Sequence, residues 1–230
     1  MAIRHQTPRR KSTSVSRFAT IVFDFDGTIA NTLPLIYQTF NTVLEPRIGR
    51  ILPDAEIRSH FGPPDQVILG RYVDEAERET AFAEYIELYA RDHNEHVYLY
   101  DGMYDLLQKC KDEGMRIGIM TGKSRVSANI SLRELGIEQF IDVLVAGDDV
   151  VMPKPHPEGV IAAIAQLGHI DAEKGAMVGD SAADIYAGRG SGLYTIGVTW
   201  GVPEHDDLRA AKPDVICDTV SELRRQLFDA

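Results

Sequence analysis

Two aspartates at the end of an apolar segment are the residues of this chain best suited to chemistry. The segment 18–23 predicts a buried strand, and Asp24 and Asp26 follow it directly. Side chains two positions apart in extended backbone point the same way, so both carboxylates are predicted to face one site. Close carboxylates repel each other unless a cation or a shared proton relieves them. The pair indicates a Mg²⁺ site or a nucleophile beside an acid/base, with a solvated turn as the alternative.

A hydroxyl group and a glycine follow a second apolar segment. Thr121 and Gly122 lie just before Ser124, where a helical pattern begins. A Thr hydroxyl together with backbone N–H groups at a helix start can hold the oxygens of a phosphate, and we call this pair the phosphate cradle. Taken alone, the motif favours a plain helix start with Ser124 as the N-cap.

A lysine and a second pair of acids complete the set. Lys154 lies between two prolines that restrict its backbone, so its ammonium can act as a fixed charge beside a phosphate or an aspartate. Taken alone, it favours a solvent-exposed loop lysine. Asp180 and Asp184 lie one helical turn apart at the start of a predicted helix. Their carboxylate oxygens are typical ligands of Mg²⁺. As the alternative, their negative charges would be stabilised by the positive amino-terminal end of the helix.

The surrounding pattern predicts an α/β fold with a Rossmann-like, doubly wound parallel sheet. Short apolar segments alternate with helical patterns, as in sheets covered by helices on both faces. Ligands in such folds bind beyond the carboxyl ends of the strands, where all four motifs are predicted to converge. Two pairs of acids, a phosphate cradle and a lysine at one edge of a sheet favour phosphoryl transfer. The predicted strands are 18–23, 115–120, 143–146, 175–179, 194–198 and 214–217, and the predicted helices are 101–114, 124–135, 156–168, 181–191 and 220–227.

Residues 33–98 interrupt this alternation with helical patterns only. We predict an inserted all-helical cap here, on an α/β core formed by residues 18–32 and 99–230. Glycines and prolines at the seams favour hinge movement. Residues 1–17 are basic and contain no acid, which predicts a disordered tail, with an organellar targeting segment as the alternative. The predicted helices of the cap are 33–45, 54–60, 64–72 and 75–94.

Composition narrows the classes of function. The 230 residues carry a net charge of −11, which disfavours a nucleic-acid partner. No apolar run reaches about 18 residues, so no membrane span is expected. The two cysteines are far apart and are expected to be reduced thiols of a cytoplasmic protein. The oligomeric state is left open.

The motifs resemble those of the haloacid dehalogenase-like hydrolase superfamily over residues 18–228. The segments 24–28 (DFDGT) and 179–184 (GDSAAD) carry the most specific match. Segments 187–189 and 195–201, with Gly62-Pro63-Pro64 in the cap, resemble its phosphoglycolate phosphatase and pyrophosphatase branch. The resemblance implies a Mg²⁺-dependent phosphatase acting on a small phosphorylated metabolite such as phosphoglycolate. Inorganic pyrophosphatase, a phosphosugar mutase and a silent-site binding protein are the alternatives.

The resemblance also implies roles for individual residues. Asp24 would form an aspartyl-phosphate, and Asp26 would protonate the leaving group and then activate water. Thr121 and Gly122 would hold phosphoryl oxygens, and Lys154 would neutralise charge around Asp24 and the phosphate. The implied Mg²⁺ ligands are Asp24, Asp26 through its backbone carbonyl, Asp180, and Asp184 directly or through water.

Other residues bear on the substrate. Asp26 disfavours a dehalogenase, because a halide leaving group needs no proton. No lysine lies between residues 12 and 108, which disfavours a phosphonate hydrolase with a cap lysine. Asn31 stands where many relatives have an acid. His93, Asn94 and His96 are predicted to be polar helix surface, with a hinge role as the alternative. The aromatic residues Tyr72, Phe82, Tyr85 and Tyr89 are predicted to form the core of the cap. The candidate substrate contacts in the cap are Arg58, His60, Gly62, Pro63, Pro64 and Arg71.

Overall fold

The computed structural model describes residues 17–168, 171–201 and 205–229, so the predicted tail lies outside the described residues apart from Arg17. Within these ranges the strands are β1 (Thr20–Phe23), β2 (Ala30–Asn31), β3 (Tyr98–Leu99), β4 (Arg116–Met120), β5 (Val143–Val145), β6 (Gly175–Gly179), β7 (Tyr194–Val198) and β8 (Val215–Cys217). The α-helices are α1 (Leu33–Ile48), α2 (Asp54–Arg58), α3 (Asp65–Leu69), α4 (Arg78–His96), α5 (Met103–Asp112), α6 (Arg125–Glu134), α7 (Glu158–Gln166), α8 (Ala182–Gly190), α9 (Asp206–Ala210) and α10 (Val220–Phe228).

Six strands form a parallel sheet in the order β5-β4-β1-β6-β7-β8. The central strand β1 pairs with β4 on one side and β6 on the other, with Thr20 opposite Arg116 and Gly175. The chain adds strands outward in both directions from β1, so the carboxyl end of β1 is the switch point where such folds bind ligands. The predicted doubly wound α/β fold is confirmed.

Apolar side chains of β1 explain why helices cover both faces of the sheet. All four residues of β1 are buried. Ile21 and Phe23 belong to a large apolar cluster that includes residues of α5 and α10, whereas Val22 belongs to a second cluster with residues of α7 and α8. Successive residues of a strand point to opposite faces, so one short apolar strand anchors both helical layers. No helix among the described residues has the length and apolarity needed to span a bilayer.

A short antiparallel ribbon that the sequence analysis missed joins the core to the inserted helices. Ala30 of β2 pairs with Leu99 of β3, and Asn31 pairs with Tyr98. The Asn31 side-chain amide also donates a hydrogen bond to the Tyr98 hydroxyl at 2.7 Å. Strands of two residues are too short for hydrophobic alternation to reveal them. Asn31 therefore belongs to the ribbon at the exit from the core.

The segment between β2 and β3 is helical, as predicted, and we keep the names cap for residues 33–98 and core for the other described residues. Helix α1 packs along α4, and Tyr85 is fully buried with its ring centre 5.0 Å from Phe40. The predicted end of α1 at residue 45 is early by three residues. The helix continues through Pro46 and ends at Gly49, whose φ of 71° terminates it. The division into two domains stays a prediction.

Candidate active site

The predicted catalytic residues meet at the carboxyl edge of the sheet. Asp24 follows β1, Thr121 follows β4, and Asp180 follows β6. They line a cavity of about 490 Å³, a size typical of sites for small ligands. Lys154 reaches the same cavity from the loop after β5. Parallel strands bring these residues together because their carboxyl ends share one edge.

Lys154 is a buried ion-pair partner, and the alternative of a solvent-exposed loop lysine is wrong. Its Nζ donates to Asp24 Oδ1 at 2.5 Å, to Asp184 Oδ1 at 2.6 Å and to the Met120 carbonyl at 3.1 Å. These three bonds use all the donors of an ammonium group. Burial lowers the pKa of Lys154, but the two carboxylates outweigh it and hold that pKa above its usual range. Lys154 therefore carries a fixed positive charge.

Three buried carboxylates lie close together beside Lys154, and two of them bind it. Asp24, Asp180 and Asp184 each offer an oxygen within 4.8 Å of the other two. Burial raises the pKa of Asp24 to about 7, assisted by the charges of Asp184 and Asp26 and opposed by Lys154. Burial and the charges of Asp24 and Asp184 also raise the pKa of Asp180. Carboxylates outnumber cations here, so a hard divalent cation such as Mg²⁺ fits this group of oxygens.

Two glycines make room for these carboxylates. A Cβ on Gly27 would lie 2.4 Å from Asp180 Oδ2, and Gly27 has a φ of 82° that favours glycine. A Cβ on Gly179 would lie 2.4 Å from the carboxylate carbon of Asp184. Larger residues at either position would displace an acid of the cluster, so both glycines belong to the architecture of the site.

Asp184 takes part in a helix cap as well as in the carboxylate cluster. Its Oδ2 accepts hydrogen bonds from the backbone N–H of Ser181 at 3.0 Å and from the Ser181 hydroxyl at 2.6 Å. Ser181 is the N-cap of α8, and its hydroxyl accepts from the backbone N–H of Asp184 in return. Asp184 thus caps the helix and also belongs to the carboxylate cluster.

The Asp26 carboxylate lies in a separate environment. Its Oδ1 accepts a hydrogen bond from the Thr32 hydroxyl at 2.5 Å and lies 3.2 Å from Lys123 Nζ. Asp26 lines the cavity beside Asp24, but its carboxylate is not part of the cluster of three. The two aspartates of the motif therefore serve one cavity with different neighbours.

Lys123 is the most important residue that the sequence analysis overlooked. Its side chain is only 1% exposed, and Nζ lies 4.5 Å from the ring centre of Tyr89 in the cap. Burial lowers the pKa of Lys123, but the charge of Asp26 outweighs it and raises that pKa above its usual range. A lysine after Thr121 and Gly122 carries no pattern that distinguishes a buried side chain from an exposed one.

The loop after β4 is both a helix start and a wall of the cavity. Ser124 is the N-cap of α6, and its hydroxyl accepts from the backbone N–H of Ser127 at 3.3 Å. Thr121 and Gly122 line the cavity. A Cβ on Gly122 would lie 2.8 Å from the Gly62 carbonyl, so this loop touches the cap directly. The helix start at Ser124 is confirmed, whereas the phosphate-binding role of Thr121 and Gly122 stays a prediction.

The cap contributes part of the predicted substrate contacts. Arg58, Gly62 and Pro63 line the cavity. His60 does not, because its Nδ1 lies 2.7 Å from an Arg71 guanidinium nitrogen and its ring packs edge-on against Tyr72. The contact of His60 with substrate stays a prediction, and its neighbours in this structure are Arg71 and Tyr72. Residues that line the cavity without having been singled out include Phe61, Asp65, Ile68, Asp207 and Leu208.

His93 also differs from expectation, since it is buried rather than part of a polar helix surface. Its side chain is 0% exposed, and its Nε2 lies 3.0 Å from the Ser131 hydroxyl of α6. Burial, together with the positive charge of Lys123, lowers the pKa of His93 to about 4. The neutral imidazole therefore lies at the contact between the cap and the core.

The family of the chain follows from comparison with known proteins. Residues 21–198 match the model of the haloacid dehalogenase-like hydrolases. The chain belongs to this family. It is 33% identical over 210 residues to pyrophosphatase PpaX of Bacillus cereus (strain AH820), which covers 91% of this chain and 96% of that protein. The predicted superfamily and the predicted enzyme class, a hydrolase of the phosphatase type, are confirmed.

Solved structures resemble the whole fold. A haloacid dehalogenase-like hydrolase from Bacteroides fragilis superposes with a TM-score of 0.76 at 29% identity, covering 90% of this chain and 99% of that one. CbbY from Rhodobacter sphaeroides, solved in complex with phosphate, superposes with a TM-score of 0.78 at 23% identity, covering 90% and 96%. Because the identity to CbbY is only 23%, this resemblance shows similarity of fold alone.

Proposed function

We propose that this chain is a Mg²⁺-dependent phosphatase that hydrolyses a small phosphorylated metabolite through an aspartyl-phosphate on Asp24. The observation that carries the proposal is the arrangement around Lys154. A carboxylate at the centre of the sheet edge is paired with a buried lysine, faces two further acids and borders the phosphate cradle within one cavity. Neither a purely structural ion pair nor a plain binding pocket needs all of these groups.

Mg²⁺ fits the acidic side of this cavity. Asp24 and Asp180 would hold it with the backbone carbonyl of Asp26, while Asp184, whose oxygens already accept from Lys154 and Ser181, would contribute through water. When bound, the cation would neutralise negative charge on the phosphoryl group and the carboxylates. The raised pKa values of Asp24 and Asp180 support this assignment, because a cation favours the ionised forms.

The first half-reaction transfers the phosphoryl group to Asp24. A carboxylate oxygen of Asp24 attacks phosphorus, and the bond from phosphorus to the leaving oxygen breaks. Lys154 holds Oδ1 of Asp24 at 2.5 Å, which fixes the orientation of the nucleophile. Thr121 and Gly122 receive the phosphoryl oxygens. In this proposal Asp26 gives a proton to the leaving oxygen; Thr32 and Lys123 engage Oδ1, so Oδ2 is the oxygen left for that transfer.

The second half-reaction restores the enzyme. Asp26, now a carboxylate, takes a proton from a water molecule, and the water oxygen attacks phosphorus. The bond between phosphorus and the Asp24 oxygen breaks, and inorganic phosphate leaves. Asp26 ends protonated and Asp24 ends ionised, so the cycle closes without another reactant.

The cap side of the cavity supports a small substrate with a second anionic group. Arg58 of the cap lines the cavity, and a guanidinium suits a carboxylate or a second phosphate of the substrate. Phosphoglycolate has such a carboxylate and is our leading substrate. Inorganic pyrophosphate is the second candidate, because a relative matching 91% of the chain is named pyrophosphatase PpaX.

The test is phosphate release from a panel of compounds with Mg²⁺, run on the wild type and on Asp24→Asn. The panel contains phosphoglycolate, pyrophosphate, nucleotides and sugar phosphates. We expect one small compound to be preferred and the variant to lose at least about 10³-fold in kcat, because it lacks the nucleophile. Acid-quenched wild type should carry covalent phosphate on Asp24.

Asp105→Asn is the matched control, because Asp105 is an exposed aspartate of α5 outside the cavity lining. It should hydrolyse the preferred compound like the wild type. A wild type that releases no phosphate from any compound overturns the phosphatase proposal for this panel. Interconversion of sugar phosphates without net release would instead identify a mutase.

A further inference from the structure

Four consecutive residues after β4 connect the cavity to the cap. Thr121 and Gly122 line the cavity. Lys123 turns away from it toward Asp26 and the Tyr89 ring. Ser124 begins α6. This segment, which we call the cradle loop, therefore contacts the substrate site on one side and the cap on the other.

Asp65 of the cap binds the far end of the cradle loop. Its Oδ2 accepts hydrogen bonds from the backbone N–H of Ser124 at 3.1 Å and from the Ser124 hydroxyl at 2.8 Å. The Ser127 hydroxyl also donates to Oδ2, and the Tyr85 hydroxyl lies 3.5 Å from Oδ1. Asp65 is only 5% exposed. A buried carboxylate with this many donors is held in one position.

The location of Asp65 makes this an interaction between two parts of the molecule. Ser124 and Asp65 are 59 residues apart in the chain, and Asp65 is the first residue of the cap helix α3. An acid at the amino-terminal end of α6 is electrostatically favoured there. Here that acid comes from the cap, so the end of α6 gains this partner only when α3 lies against the core.

A backbone contact lies beside these hydrogen bonds. The Gly62 carbonyl lies 2.8 Å from the position that a Cβ of Gly122 would occupy. Gly62 and Asp65 flank the two prolines of the cap loop, which restrict its backbone. The cap segment 62–65 therefore packs against the cradle loop at Gly122 and accepts hydrogen bonds from it at Ser124.

We infer that Asp65 is a positioning residue that couples closure of the cap to the geometry of the phosphate cradle. In the closed arrangement Asp65 holds Ser124, and Ser124 fixes the loop in which Thr121 and Gly122 face the substrate phosphate. Loss of Asp65 leaves the Ser124 N–H without its acceptor and loosens the loop. This inference rests on the proposed phosphatase function for its catalytic consequence, whereas the effect on the loop does not depend on it.

The experiment compares Asp65→Ala with Asp214→Ala. Asp214 is a matched control, because its Oδ2 accepts from the backbone N–H and the hydroxyl of Thr195, both at 2.7 Å. Asp214 thus accepts the same two kinds of hydrogen bond from Thr195 that Asp65 accepts from Ser124. Both Asp214, just before β8, and Thr195, in β7, lie in the core. Asp65→Asn, which keeps an acceptor oxygen, serves if the alanine variant does not fold.

The first measurement is amide hydrogen exchange of the full chain without substrate. We expect residues 121–123 to exchange about tenfold faster in Asp65→Ala and at the wild-type rate in Asp214→Ala. The Ser124 amide is left out, because it binds Asp65 directly and would respond in any case. Unchanged exchange at 121–123 overturns the inference.

The second measurement is kinetic, with the compound preferred in the panel and inorganic phosphate as the inhibitor. Asp65→Ala should lower kcat/KM and weaken phosphate inhibition by about tenfold each, with Asp214→Ala like the wild type. In a background of Ser124→Ala and Ser127→Ala, removal of Asp65 should have a smaller effect than in the wild type, because both hydroxyl donors are gone and only the Ser124 backbone N–H and the Tyr85 hydroxyl still face Asp65. If inorganic phosphate inhibits Asp65→Ala as strongly as it inhibits the wild type, the inference is overturned. An inactive wild type refutes the proposed function, and the exchange measurement still decides whether Asp65 holds the loop.

Discussion

The molecule stabilises buried carboxylates in two different ways, in the acidic cluster of the core and at Asp65 between cap and core. Asp24, Asp180 and Asp184 lie close together, only Asp24 and Asp184 bind Lys154, and burial raises the pKa of Asp24 and of Asp180. Asp65 instead accepts hydrogen bonds from neutral donors of Ser124 and Ser127. In the first site the ionised acids repel one another, and a cation can relieve this repulsion. The second has its partners supplied by the protein.

This difference separates a site that receives ligands from a contact that holds two parts together. In the cluster, strand ends and glycines force acids close to one another despite their repulsion. At Asp65, a helix end and two hydroxyl groups match a single charge. Unrelieved repulsion in a folded protein is typical of a functional site, whereas a satisfied buried charge is typical of a specific structural contact.

The largest effect is expected when the lysine of the cluster is removed. Lys154→Met should lower kcat by about 10³-fold, because Asp24 loses its orienting partner and the cluster loses its charge balance. It should also destabilise the metal-free protein by about 3–5 kcal/mol, as expected for a broken buried ion pair. Phosphate release and thermal unfolding check these results. Lys174→Met, which alters an exposed lysine, should match the wild type in both.

A pH-dependent loss of stability should distinguish the cluster. An unfolded aspartate ionises near pH 4, whereas Asp24 in the folded protein keeps its proton up to about 7. The folded state thus binds more protons in this window, so the metal-free protein should lose stability from Asp24, on the order of 2 kcal/mol, as pH rises from 5 to 7.5. Chemical unfolding of metal-free wild type and Asp24→Asn measures the difference. Parallel pH profiles would contradict this expectation, and Mg²⁺ should reduce the loss in the wild type.

The contact between cap and core should respond to pH in the opposite direction. The pKa of His93 is about 4 when folded, against about 6.5 when unfolded, so the unfolded state binds more protons between these values. The stability that His93 contributes is present above pH 6.5 and declines as pH falls toward 4. His93→Gln should therefore lose less stability than the wild type between pH 7 and 5, by on the order of 1–2 kcal/mol.

Chemical unfolding at these two pH values, with exposed His156→Gln as the control, checks the result. Equal losses in wild type and His93→Gln would show that His93 is not responsible. Together with the Asp24 profile, this measurement assigns the loss of stability on acidification to the contact between cap and core, and the loss as pH rises from 5 to 7.5 to the metal-free cluster.

The strands and the main site residues were accessible from sequence for identifiable reasons. The predicted strands 175–179 and 194–198 coincide with β6 and β7, because both are short apolar segments bounded by turn residues. Asp24 and Asp180 could be placed at one edge because each follows such a segment. The ribbon of β2 and β3 and the helix α9, which brings Asp207 and Leu208 to the cavity, were missed because they are short.

The polar groups of the cap were harder to predict. His60 lies beside Arg71 within the cap, and His93 is buried against Ser131 rather than exposed on a helix surface. Helical periodicity shows that a residue lies on a face, but it does not reveal which partner covers that face. A polar residue on α4 therefore suggested surface, although α6 covers it.

Local patterns in the amino-acid sequence were sufficient for the α/β architecture, the acids at the strand ends and the resemblance to a hydrolase family. These features depend on residues close together in the chain, namely apolar strands, glycine turns and the groups that follow them. Lys123 beside Asp26, Asp65 on Ser124 and His93 on Ser131 were decided by tertiary packing. Each joins the loop or helix after β4 to a distant part of the chain, and the energy of a buried charge depends on donors that only the folded chain brings near.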